Sequence, residues 1–315
     1  MTPFYWESAH GNFGDDLNLW LWDFLLPGFR DVHPDVLLVG VGTVLNRALL
    51  PADGRKLVIG SGFGYGALPD MTDKDLWDIR AVRGPRTAEK LGIDSGFGII
   101  DPAVMVAEMP EFRNLPKTNG TIFVPHWEST IGSIWPAVCQ TVGVTYVDPR
   151  GEAKAVIRAI AQSELVIAES MHAAILADAF RVPWVAVTTS QEINGFKWSD
   201  WADTVEVAYR PRQIPVSSRN EAMHKGTRFW GVRFEKRWRT VEDPNKRGGD
   251  SMVAAKAEPR QSTMRTMAKQ VLAAPSALAL RQAKKATPQL SSDTVLARRK
   301  EQFLEVIAGV RRDYF

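Results

Sequence analysis

The sequence predicts an α/β protein built of two Rossmann-like parallel-sheet domains that face a cleft, followed by a helical C-terminal tail. Three observations predict it. Short apolar runs alternate with amphipathic stretches from residue 4 to residue 187, the rhythm of parallel strands joined by crossover helices. That rhythm breaks at a polar, proline-containing stretch from Glu111 to Asn119 and then restarts. The chain is also 315 residues long, more than the roughly 250–300 at which one hydrophobic core stops growing.

In order, the first half offers the strand Phe4-Tyr5-Trp6, a helix-like stretch from Leu17 to Leu26, and the apolar runs Val36–Gly40 and Leu57–Gly60. The run Ile79–Gly84, a helix from about Thr87 to Leu91 and the run Phe97–Asp101 complete it. The second half opens with the strand Thr121–His126. It continues with a helix around Ile134–Val142, the strand Val144–Val147, a helix from Ala153 to Ser163, the strand Leu165–Ala168, a helix from His172 to Phe180 and the strand Trp184–Val187. These boundaries give an N-terminal domain over 1–115, a second over 116–240 and a basic helical or partly disordered tail over 241–315. The turn-rich segment Asp243–Asp250 introduces that tail as an appendage.

Composition narrows the function classes. Hydrophobic residues make up 45% and charged residues 24%, enough apolar surface for packed cores. One cysteine, Cys139, has no partner for an intramolecular disulfide, which fits a reducing cytoplasm. The N-terminus lacks a basic lead and an apolar run, so no secretory signal is expected. No window reaches the ~18 uninterrupted apolar residues of a membrane-spanning helix. The net charge of +3 hides an asymmetry, because Lys and Arg outnumber Asp and Glu beyond residue 251 while the body is mildly acidic. Nucleic-acid binding is therefore not expected. Arg265, Lys269, Arg281, Lys284 and Lys285 lie among Val271, Leu272, Leu278 and Leu280, a pattern able to rest on an anionic membrane surface.

The chemistry concentrates where strands end. The turn His10–Leu17 follows the first strand with Gly11 and Gly14 permitting a tight bend, Asn12 beside them, and Asp15 or Asp16 placed to cap a helix. The turns Gly40-Val41-Gly42 and Gly60-Ser61-Gly62 bring backbone N–H groups close to a ligand. Neither completes a dinucleotide fingerprint, since Leu45 and Tyr65 stand where a third glycine is needed. Arg83 and Arg86 flank a turn opened by Pro85, and guanidinium forks match carboxylate and phosphate. After a buried-looking strand, Glu169 and Ser170 precede His172, which opens an apolar helix and so sits where a helix dipole aims at the cleft. His126-Trp127-Glu128-Ser129 repeats this arrangement one unit earlier. His10, His33 and His224 lack such placement, and no metal site is expected. In the stretch Phe196–Trp201, Lys197 offers a cation and Trp198 a face on which a sugar could stack.

These segments resemble the polysaccharide pyruvyltransferase family, whose pattern includes the Asn-Phe-Gly-Asp turn, here Asn12–Asp15. In family order follow Gly-Val-Gly-Thr at Gly40–Thr43, Arg-Gly-Pro-Arg at Arg83–Arg86 with Asp101 downstream, and the histidine segment His172–Pro183. The resemblance covers roughly residues 3–210 and is nearest the ketal pyruvate transferases of acidic exopolysaccharides of the succinoglycan type. It implies a fold similar to the B-type glycosyltransferases, phosphoenolpyruvate as donor with no further cofactor, and a sugar of a lipid-linked oligosaccharide as acceptor. The implied product is a cyclic pyruvate ketal plus phosphate. A cytoplasmic place rests on the lone cysteine and the missing signal, and peripheral contact with the inner membrane on the basic tail, whose other reading is a plain helix packed on the body or partly disordered. Many members carry Arg-Leu-His where this chain has Ser170-Met171-His172, so either the duty of a family arginine falls to Arg83, Arg86 or Lys197, or the substrate sits differently. On this reading Arg83 and Arg86 hold the donor's anionic groups, His172 is the general acid, and the base is Asp15, His126 or Glu169. Two other readings use the same architecture: a nucleotide-sugar glycosyltransferase and a non-catalytic scaffold in polysaccharide assembly.

Overall fold

Two parallel sheets organise the chain. The computed structural model describes residues 1–190, 193–236 and 271–315. The first sheet holds β1 (Thr2–Phe4), β2 (Val36–Val39), β3 (Arg55–Ile59) and β4 (Trp77–Ala81), side by side in chain order. The second holds β5 (Asn119–Val124), β6 (Thr145–Tyr146), β7 (Ser163–Ala168), β8 (Trp184–Thr188) and β9 (Arg212–Gln213) in the order β6-β5-β7-β8-β9. Its strands are near-continuous apolar runs because both faces are covered. The order reverses between β5 and β7, and in such sheets ligands bind beyond the carboxyl ends at that reversal. His126 follows β5, and Glu169–His172 follow β7, so the reversal brings these two strand ends together.

The expected helix over Leu17–Leu26 divides into a 3-10 turn, Asp15–Leu19, and α1 (Leu21–Leu25). The run Phe97–Asp101 forms no strand; it touches β4's extension through one bridge, Val82 to Gly98, and leads into a 3-10 segment, Pro102–Glu108. The helices α2 (Pro85–Leu91), α3 (Trp135–Thr141), α4 (Ala153–Ala161) and α5 (Met171–Ala179) stand where the periodicity places them. Every residue of α5 is buried, and four of the nine are alanine, as befits a helix apolar on all sides. The small side chains let α5 lie between the second sheet and the 3-10 segment 102–108 of the first half.

Beyond β8 come α6 (Gly195–Thr204), α7 (Arg219–Lys225), a small hairpin of β10 (Arg228–Phe229) and β11 (Val232–Arg233), α8 (Ala274–Lys284) and α9 (Asp293–Tyr314). The described part of the tail is not an appendage. α9 buries Leu296, Phe303, Ile307, Val310 and Tyr314 in the main core, and its length lets it span both halves. Arg80 pairs with Asp313 at 2.6 Å and Tyr314 donates to Asp78, while at the other end Arg298 pairs with Glu206 and Arg299 donates to the Thr204 carbonyl. α8 buries Leu280 and Ala283 against the core around α3. The linker Asp243–Asp250 and the basic residues Arg265 and Lys269 lie outside the described residues. No helix among the described residues is long and apolar enough to cross a membrane. Cys139 is a core residue, its thiol pushed up to about 12 by burial.

Candidate active site between the two halves

The turn after β1 is fixed by a buried amide. The Asn18 side chain donates to the carbonyls of Asp15 and Val41 and accepts from the Val41 N–H and the Trp22 indole, locking the turn to the end of β2. Asn12 Nδ2 donates to Asp15 Oδ2 at 2.5 Å. Gly14 lies against the imidazole of His172, where a Cβ would fall 1.9 Å from Nδ1, so only glycine permits the approach. This contact joins the first half to the start of α5.

On its other side His172 faces Asp101. Asp101 Oδ1 caps the 3-10 segment 102–108 by accepting from the Ala103 N–H at 3.0 Å. Its Oδ2 sits 3.8 Å from His172 Nε2, and both atoms are buried with no hydrogen-bond partner among the described residues. The two atoms face each other across the junction of the two halves. Asp101 was legible only as part of a motif; its position as the cap before an Asp-Pro step is the signal that points to it.

Asp15 completes the cluster. Burial raises its carboxyl to about 6, an effect moderated by His172 and Lys197 and reinforced by Asp16 and Asp101. A carboxyl poised near neutrality can both accept and return a proton. His126 is pushed the other way, to about 3, by burial and by the charge of Lys197, and its Nδ1 is buried without a hydrogen-bond partner, 3.9 Å from Glu128. It therefore stays neutral and able to accept a proton or hydrogen bond. The charge of Lys197 acts on both groups, and its ammonium lies 5.4 Å over the Tyr65 ring. Ser170 is the N-cap of α5 and makes no side-chain capping bond. The first-turn N–H groups beside it have no intrahelical acceptors.

Four residues singled out in the sequence serve elsewhere. Arg83 is fully buried: Nε pairs with Asp200 of α6 at 3.1 Å, Nη1 donates to Thr43 and Nη2 to the Phe63 carbonyl. Its guanidinium ties the halves together and presents no free face to an anion. Arg86 pairs with Asp203 on the same helix at 2.6 Å and is exposed. Trp198 is buried in an aromatic cluster, stacked on Tyr209 with centroids 4.9 Å apart, so no sugar reaches its face.

Glu169 is consumed by structure. Its Oε2 accepts from the His126 N–H at 3.0 Å and from Ser129, and its Oε1 accepts from the N–H and hydroxyl of Thr189. The Lys225 ammonium lies 3.4 Å away. Burial opposes its charge, but Lys225 and these hydrogen bonds outweigh burial and hold the carboxyl below the usual range. It is an anchor for the His126 loop and a poor base. Among the described residues no three histidine, cysteine or carboxylate groups gather as they would around a metal ion.

The family model described as polysaccharide pyruvyl transferase matches residues 15–191, from Asp15 through α5 and past β8. Over 316 aligned residues the chain is 66% identical to the succinoglycan biosynthesis protein ExoV of Rhizobium meliloti (strain 1021), with both chains covered in full. No solved structure matches.

Proposed function

Because the chain belongs to the polysaccharide pyruvyl transferase family and is an enzyme that transfers pyruvyl groups onto an exopolysaccharide, we propose that its donor is phosphoenolpyruvate and its product a cyclic pyruvate ketal on a sugar of a succinoglycan-type repeat. The acceptor is the repeat while still lipid-linked, and the enzyme works in the cytoplasm at the inner face of the membrane. The observation that carries this reading is the cluster of Asp15, Asp101 and His172, drawn from both halves, in which Asp101 Oδ2 faces His172 Nε2 at 3.8 Å and burial raises the Asp15 carboxyl to about 6. The alternative donor, a nucleotide sugar, uses the same architecture, its diphosphate held at a helix-start anion site, and donor turnover separates the two.

In this account Lys197 and the open N-terminus of α5 hold the donor's carboxylate and phosphate, a duty that Arg83 and Arg86 are not placed to perform. His172 gives a proton to the methylene carbon of the enol, which becomes a methyl group and leaves C2 electron-poor. One sugar hydroxyl adds to C2, its proton passing to Asp15 or to the neutral His126. The second hydroxyl then displaces phosphate from C2 to close the ketal. The proton taken by Asp15 or His126 passes on to restore His172, and the second hydroxyl's proton leaves with phosphate as hydrogen phosphate, so both groups return to their starting state and the reaction balances with no oxidant or external acid. Proton transfers of this kind contribute roughly a hundred- to ten-thousandfold in rate.

The test is to incubate the purified chain with phosphoenolpyruvate and the lipid-linked repeat while following phosphate and glycan mass. The expected result is one phosphate released for each glycan that gains the mass of pyruvic acid less one water. An unchanged glycan with competent acceptor present overturns the donor assignment and directs attention to nucleotide sugars.

A further inference from the structure

A cavity lies on the same carboxyl edge of the second sheet as the reaction cluster. It has a volume of about 970 Å³ and opens between the ends of β8 and β9, the β10–β11 hairpin and the start of α8. Ligand pockets run roughly 300–1,000 Å³, so this one is large. Its floor is continuous with the site already described: Thr189 and Lys225, which line it, bind the Glu169 carboxylate whose other oxygen holds the His126 backbone.

The wall formed by the hairpin is built against the ordinary rules of stability. Trp230 and Gly231 form its two-residue turn, both with positive φ, 51° and 79°. Positive φ is natural for glycine and costly for a bulky residue. Trp230 is nevertheless placed there 61% exposed, with its indole N–H fixed by donation to the Leu272 carbonyl at 2.8 Å. A fixed, exposed indole is a platform. Arg228 and Arg233 stand directly opposite each other across the hairpin, and neither pairs with a carboxylate among the described residues. Like charges in register destabilise a hairpin by up to about 1 kcal/mol, and local rules broken without local compensation are expected at functional sites.

We propose that this cavity is the acceptor-chain subsite, in which a sugar ring of the oligosaccharide stacks on Trp230 while an anionic group of the acceptor, phosphate or carboxylate, lies between Arg228 and Arg233. The assignment rests on the pyruvyl-transfer reading for the identity of the acceptor. A flat aromatic face matches the C–H face of a sugar, paired guanidinium groups match a phosphate or carboxylate, and Gln213 and Ser190 supply polar partners around the wall.

Binding is measured by calorimetry with the full chain and two probes: the non-pyruvylated repeat-unit oligosaccharide, and the same oligosaccharide with a terminal phosphate. Trp230→Ala is expected to weaken both probes by roughly tenfold or more, with Trp230→Tyr restoring most of the affinity. Arg228→Gln with Arg233→Gln is expected to erase the preference for the phosphorylated probe, a preference that in the parent chain falls as salt rises. If the preference lies only with acceptors carrying internal carboxylates, the anion is sugar-borne; if neither anion is preferred, the arginine half of the proposal is overturned. Unchanged affinity in Trp230→Ala overturns the subsite itself. Tight, Trp230-dependent glycan binding without pyruvyl transfer would leave the subsite standing and remove the proposed reaction.

Discussion

His172 Nε2 faces Asp101 Oδ2 at 3.8 Å, and each belongs to a different half of the chain. The carboxylate is locked by its own capping bond and the imidazole is wedged against Gly14, so neither can drift toward or away from the other. In the proposed reaction Asp101 is a positioning residue for His172. Asp101→Asn keeps the cap and the shape and is expected to lower kcat by roughly ten- to a thousandfold, with the unfolding midpoint and the donor KM unchanged. A purely structural Asp101 would instead lower the midpoint and leave kcat intact. Asp101→Ala also loses the cap, which costs about 1 kcal/mol in addition.

Asp15 carries a stability cost in its ionised form. Its folded carboxyl titrates at about 6 against 3.8 for the unfolded chain, so between these values the folded state binds the extra proton and stability falls as pH rises. Asp15→Asn removes that penalty. The variant is expected to be more stable than the parent by roughly 1–3 kcal/mol at pH 7.5 and by nothing at pH 3.5, while losing most of its turnover. Denaturant unfolding at the two pH values checks it; equal stability at both contradicts the poised carboxyl.

The sign is opposite at His126. Its folded value of about 3 lies below 6.5, so the unfolded chain binds the proton first and stability is lost as pH falls below about 6.5. Replacing His126 with Gln is expected to flatten the stability curve between pH 6.5 and 4 by roughly 1–3 kcal/mol. Thermal melts of both proteins across that range give the difference directly, and parallel curves would remove the neutral His126 from the account.

Arg83 and Asp200 form a fully buried pair between the halves. Arg83→Met strands the Asp200 carboxylate, which also accepts from the Thr87 N–H and hydroxyl, and is expected to cost about 3–5 kcal/mol. Asp200→Asn in the same background should recover part of that loss. In the folded fraction the donor KM should stay within about threefold, since Arg83 has no free face; a KM rise of a hundredfold or more with stability intact would return Arg83 to the binding site.

The parts of the fold with strong periodicity were legible, and the parts fixed by tertiary contact were not. β5, α4, β7, α5 and β8 follow the apolar pattern closely because each buries a continuous run. Leu17–Leu26 reads as one helix but breaks at Trp20, where the Asn18 bridge to Val41 sets the chain's path. At the site, Asn12 binds Asp15 and Gly14 touches His172, whereas Lys197, on α6, reaches Asp15 and His126 only through its charge. Arg83, Glu169 and Trp198 carry the residue types that chemistry prefers, yet Asp200, Lys225 and Tyr209 claim them. Those partners lie 117, 56 and 11 residues away, and no local pattern announces them.

His172→Gln tests the central claim most directly. The variant preserves the side chain's bulk between Gly14 and Asp101 but cannot deliver a proton as imidazole does. With phosphoenolpyruvate and lipid-linked repeat supplied in excess, this account predicts an unaltered melting temperature, retained acceptor binding, and a loss of pyruvyl transfer and phosphate release together by at least a hundredfold. Turnover near that of the parent chain would contradict it and place the reaction somewhere other than the junction of the two halves.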